Sequence, residues 1–82
     1  MKAFPVCVNG KRTALAGLDG RGVLTTMVHL ATSETNELLD LEIGGLDSDS
    51  GRQMIWPSPS IDVGDEIAIR VVEVDCIDEP MD

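Results

Sequence analysis

The sequence predicts an all-β domain, mainly antiparallel, folded as a small barrel or sandwich of five to six strands. Three observations carry this expectation. Apolar and polar residues alternate in short runs, turn-forming residues punctuate the runs every 8 to 12 residues or about that, and Asn9-Gly10 joins the first two runs. A helix over residues 24–31 is the competing element, because Val23, Met27, Leu30 and Ala31 fit a helical spacing there.

The first run, residues 3–8, puts Phe4, Val6 and Val8 on one face, and Asn9-Gly10 suits a type I′ turn with positive φ at both positions. A two-residue turn sets Val8 opposite Lys11, Val6 opposite Thr13 and Phe4 opposite Leu15. Pro5 has no N–H to give a neighbour, which argues that this strand lies at a sheet edge. Glycines 17, 20 and 22 mark the next turn, and a β-branched run over 23–32 follows, with Leu24, Thr26, Val28 and Leu30 sharing a face.

Ser33-Glu34-Thr35-Asn36 is a polar break that suits a hairpin turn or a helix cap. Residues 37–43 then alternate, with Leu39, Leu41 and Ile43 inward and Leu38, Asp40 and Glu42 outward. The Asp, Ser and Gly content of 44–51 predicts the longest irregular loop. Residues 52–56 form a short strand with Met54 and Trp56 on one side, and Pro57-Ser58-Pro59 ends regular pairing. A tight turn at 61–66 leads into a last strand, 67–76. There Ile67, Ile69 and Val71 share a face, then Val72, Val74 and Cys76 form the apolar set, and this change of phase predicts a β-bulge. Residues 77–82 make an acidic tail expected to fray.

At 82 residues the chain suits one domain, with no internal repeat and no linker. Its apolar fraction of 43% is mostly aliphatic, Phe4 and Trp56 being the aromatics, so the core should be thin. A chain this short buries only roughly 60–65% of its unfolded surface, and a second copy is a natural source of further burial. The apolar set left over on the last strand, with Leu38 or Met54 beside it, is the surface expected to make a homodimer.

Fifteen acidic against six basic residues give a net charge of −9, which repels phosphate backbones and anionic membranes and attracts basic protein surfaces. Neither nucleic acid nor membrane is expected as a partner; protein is, either the chain itself or a basic surface. The N-terminal residues lack the apolar stretch of a secretory signal, and no run of about 18 apolar residues occurs, so a cytoplasmic location is expected. Cys7 and Cys76 are isolated thiols without zinc-ligand spacing, expected to stay reduced.

No constellation for catalysis rises above background. His29, the single histidine, sits between Val28 and Leu30 without a neighbouring nucleophile. Asp47-Ser48-Asp49-Ser50-Gly51 begins like a calcium loop, but Gly51 stands fifth where an oxygen ligand belongs, Arg52 stands in the glycine place, and Ser58 replaces the twelfth-position Glu. An Asx and Ser turn explains it better. The GxxGxG spacing of Gly17, Gly20 and Gly22 matches neither a dinucleotide fingerprint nor a P-loop. Paired carboxylates such as Asp62, Asp65 and Glu66, or Asp75, Asp78, Glu79 and Asp82, lack the aromatic platforms a sugar cleft needs. No cofactor, metal or catalytic residue is expected. The expected function is a small acidic binding module that is not an enzyme, contacting protein through Asp47, Asp49, Met54, Trp56, Asp62, Asp65 and Glu66. Its rival is an acidic inhibitor of the immunity type that mimics nucleic acid and blocks a basic enzyme, marked by carboxylates in a regular row on one face.

Overall fold

A computed structural model describes residues 1–81 and places them in two antiparallel sheets, with no helix among the described residues. The expected all-β class is what the chain adopts. In the first sheet β1 (Lys2–Val8) lies between β2 (Lys11–Gly17) on one side and β6 (Ile67–Ile69) and β7 (Val72–Glu73) on the other. The second sheet runs β3 (Gly22–Thr32), β4 (Glu37–Asp47), β5 (Arg52–Trp56). Residues 24–31, the stretch with a helical alternative, belong to β3, which pairs with β4 over all eleven of its residues.

Asn9 (φ 53°) and Gly10 (φ 81°) form the expected two-residue turn. Beyond it the register departs from expectation. Cys7 faces Arg12, but Val6 faces Ala14 and Phe4 faces Ala16, so Thr13 is an extra residue on β2, and its Oγ1 donates to the Val6 carbonyl at 3.1 Å. This bulge turns small Ala14 and Ala16 inward where Thr13 and Leu15 were expected. Both alanines are buried in the same cluster as Trp56, the largest core side chain, and their small size leaves it room.

Pro5 also sits otherwise than expected, in the central strand. Arg70 N–H donates to the Pro5 carbonyl at 3.3 Å, so the backbone of Pro5 points toward the last segment, where its missing N–H leaves the Arg70 carbonyl without a return bond. The ladder is interrupted there and the expected strand 67–76 appears as two pieces, β6 and β7. No bulge lies between them: Val6 faces Ile69 and Ala3 faces Val72 in one continuous register.

The expected loop at 44–51 is shorter. Gly44 and Gly45 are strand residues, opposite Thr25 and Leu24 on one side and Ile55 and Met54 on the other. Their glycines serve close approach: a Cβ on Gly45 would lie 2.5 Å from the Val23 carbonyl oxygen, and one on Gly44 would lie 3.0 Å from that of Met54.

The sheets share one core in which Val6, Ala14 and Ala16 meet Leu41, Ile43, Met54, Trp56 and Ile61. Full burial contributes about 1.5–3 kcal/mol for each large aliphatic side chain, so Val6, Leu41 and Ile43 are principal supports. Residues 77–81, composed like a fraying tail, cross from one sheet to the other. Asp78 N–H donates to the Leu15 carbonyl (3.0 Å), its Oδ2 accepts from Leu15 N–H (2.9 Å), and its carbonyl accepts from Trp56 Nε1 (2.7 Å). Met81 N–H then donates to the Ile55 carbonyl at 2.6 Å. Asp82 lies outside the described residues.

Candidate functional site

The seven residues expected to contact a partner fall into three places. Met54 and Trp56 are 8% and 1% exposed and belong to the core, so neither presents a contact surface. Asp47 and Asp49 build the β4–β5 turn. Asp47 Oδ1 accepts from Asp49 N–H at 3.0 Å, while Asp49 Oδ1 accepts from Arg21 Nη2 and Nε at 2.8 and 3.1 Å. Asp62, Asp65 and Glu66 instead interlock with the first hairpin. Asn9 Nδ2 donates to Asp65 Oδ1 (3.0 Å), Asn9 Oδ1 accepts from Glu66 N–H (3.0 Å), and Asp65 Oδ2 accepts from Asp62 N–H (2.8 Å). The Asn9 amide, then the Asp62 N–H, hold the Asp65 carboxyl below its ordinary value. Of these three carboxylates, that of Asp65 ties the loop to the hairpin, that of Asp62 accepts from the neighbouring Val63 N–H at 2.7 Å, and Glu66 contributes its backbone N–H.

The surface with the strongest contact character lies elsewhere. β5 pairs only with residues 43–47 of β4, so residues 37–42 and the facing part of β3 extend beyond it as an arm, and the molecule reaches 42 Å along its longest axis. Met27, Val28, Leu30 and Leu38 are exposed along this arm, Leu30 by 64% and Leu38 by 58%. The alternation of 37–43 holds as expected, but only Leu41 and Ile43 reach the core fully, because Leu39 lies out along the arm. On the last strand, where the dimer surface was expected, Val72 and Val74 are half-buried, and Ile69 and Val71 remain exposed.

One edge of the arm is bare. Elsewhere the fold meets its sheet edges at single points: Asp78 occupies β2 at Leu15, Met81 occupies β5 at Ile55, and Ser58 Oγ donates to the Leu41 carbonyl (2.6 Å) where the prolines end β5, while the β4 edge over residues 37–40 carries Glu37 and Asp40. β6 and β7 are too short to template a partner strand. β3 is a full eleven residues long, and among the described residues no strand pairs with its outer edge. Arg21 O accepts from Ser48 N–H and Ser33 N–H donates to Asn36 O, both in register with the β3–β4 ladder. Odd-numbered residues of β3 therefore bond to β4, and Leu24, Thr26, Val28 and Leu30 aim their N–H and C=O groups outward.

The strand offers that edge without a carboxylate. Its single titratable side chain is His29, whose Nε2 lies 3.5 Å from Glu42 Oε2 without hydrogen-bond alignment. The outer face of the second sheet adds a shallow hollow over Gly44, flanked by exposed Val23, Leu46 and Ile55. Cys7 and Cys76 are free thiols, and among the described residues no cluster of His, Cys, Asp and Glu could hold a metal. No helix there is long and apolar enough to cross a membrane. This chemistry suits strand pairing and apolar contact. No family model matches the chain, and no curated protein or solved structure matches it either.

Proposed function

We propose that the protein is a non-enzymatic, self-associating contact module of the cytoplasm that works through protein–protein association at the β3–β4 arm. The observation that carries this reading is the bare β3 edge, eleven residues long and free of carboxylates, flanked by exposed Val28, Leu30 and Leu38. Exposed apolar surface gathered on a projecting element is the mark of an interface, and an unpaired edge supplies backbone donors and acceptors for it. The inhibitor reading would call for a row of carboxylates on one face. Asp40 and Glu42 alternate on β4, but Asp49, Asp65 and Asp78 are each engaged at a separate loop or edge, and this dispersal favours the arm.

Sedimentation equilibrium at tens of micromolar protein tests the reading. The unaltered chain should sediment above its single-chain mass of 8.8 kDa. The double variant Leu30→Lys, Leu38→Lys changes two exposed side chains and should sediment as one chain with unchanged circular dichroism. A single-chain mass for the unaltered protein at all concentrations and salt levels would overturn the proposal.

A further inference from the structure

We infer that the second copy docks edge to edge, β3 against the partner's β3, as an antiparallel pair about a two-fold axis at Met27. This rests on the self-association proposed above and adds its geometry. Because the outward backbone groups belong to even-numbered residues, a two-fold pair must set even residues opposite even ones. Among such registers, the one centred on Met27 aligns the whole strand, Gly22 opposite the partner's Thr32, and every other register leaves residues at the ends unpaired.

The side chains agree with that register. On the core-side face Leu24 meets the partner's Leu30, and Thr26 meets the partner's Val28. Half-buried Leu24 packs against the core, so the most exposed leucine of each arm comes to lie at the rim of the other copy's core. On the outer face Val23 meets the partner's Ala31, and Met27 meets its own copy. Charge selects the same edge. Two chains of net charge −9 repel, and β3 approaches its copy without a carboxylate on either strand. His29 falls opposite the partner's Thr25, so the histidines do not face each other. A second copy fits this edge better than an acidic or basic foreign strand, because the strand offers no charge for one to recognise.

The size of the contact sets its strength. Interfaces of about 800 Å² per partner use 20–30 residues a side, or roughly 35 Å² per residue. Eleven residues a side then bury on the order of 800 Å² in total, the range of weak, reversible association. The dimer should form and dissociate with concentration in the micromolar range.

Cysteine pairing tests the register in a Cys7→Ala, Cys76→Ser background. Met27 would occupy a non-hydrogen-bonded pair, with Cα atoms about 4.5 Å apart, inside the reach of a disulfide. Under mild oxidation, with two thiols losing their protons and two electrons to dissolved oxygen, Met27→Cys should form dimer at least about tenfold faster than Val63→Cys, since pairing raises the effective thiol concentration. Val63 is 92% exposed and lies outside the arm. In the native background, Val28→Pro should sediment as a folded monomer, because the N–H it removes faces the free edge and not β4. Equal rates at positions 27 and 63, with the unaltered chain still dimeric, would overturn the β3 pairing and leave self-association standing. A Val28→Pro variant that remains dimeric overturns the pairing as well, and a monomeric unaltered chain overturns both proposals.

Discussion

Replacing Gly45 with alanine adds a single methyl group, yet the structure assigns it a large effect. The new Cβ would lie 2.5 Å from the Val23 carbonyl oxygen, 3.3 Å from Met54 Cε and 3.4 Å from Leu24 Cα. Carbon and carbonyl oxygen approach comfortably only to about 3.3–3.6 Å, so β3 must back away by roughly 0.8–1.1 Å. Met54 Cε is the end of a flexible side chain and can yield. Val23 O belongs to backbone held in the β3–β4 ladder, and moving it strains bonds worth about 0.5–1.5 kcal/mol each on top of about 1–3 kcal/mol for overpacking. A loss of about 2–4 kcal/mol results, to be set against a whole stability of about 4–12 kcal/mol for 82 residues at typical values. Gly10→Ala is the control. Nothing lies within 4 Å of its added Cβ, and its φ of +81° leaves only the backbone cost, about 1–2 kcal/mol. Urea unfolding followed by the fluorescence of Trp56, the single and buried tryptophan, reads both variants. Gly45→Ala unfolding within about 0.5 kcal/mol of the unaltered protein, or costing less than Gly10→Ala, would refute the close-approach argument.

Two further outcomes follow from the loop ties. Asp78→Ala removes the acceptor for Leu15 N–H and uncovers the edge of β2; about 0.5–1.5 kcal/mol of stability should be lost, with faster hydrogen exchange at Leu15, and an unchanged exchange rate would count against the tie. Asp65 has its carboxyl pKa depressed in the folded state, so the stability it contributes is present above its unfolded value of about 4 and lost as pH falls through the lower folded value. The stability gap between the unaltered protein and Asp65→Ala should therefore be widest near neutral pH and narrow in the acid range; a gap independent of pH would show that the carboxylate charge does no work there.

Much of the fold was legible because its cues are local. Asn9-Gly10 specifies its own turn, and Leu39, Leu41 and Ile43 alternate wherever the strand lies. The misjudged features depend on what lies alongside. Composition makes Gly44 and Gly45 look like loop residues, and only the passing Val23 and Met54 carbonyls explain them as strand. The extra residue at Thr13 answers the space Trp56 requires from the opposite sheet. Pro5 lacks a donor wherever it sits, but whether that defect faces solvent or a neighbour is decided by topology, and here the neighbour absorbs it by splitting into β6 and β7. Of the candidate contacts, Met54 and Trp56 were ambiguous for the same reason, since an unusual apolar cluster has one appearance in sequence whether it plugs a core or anchors a partner.

The arm was hidden by the very regularity that predicted its strands. Leu39 and Leu41 occupy equivalent places in the alternation, and what separates them is that the chain following β5 still reaches Leu41, whose carbonyl accepts from Ser58 Oγ, while Leu39 lies further out along the arm. The two strands of the arm nevertheless differ in a way that composition does record. β4 carries Glu37, Asp40 and Glu42 through its outer half, whereas β3 carries none. Charged side chains along a strand are a standard deterrent to pairing at its edge, and in a chain already at −9 they deter a second copy most of all. The hairpin thus has one guarded edge and one open edge. An arm guarded on both sides would stay solitary, and one open on both could add copies without limit; on the pairing proposed above, a single open edge would stop after one partner, as a closed two-fold pair does.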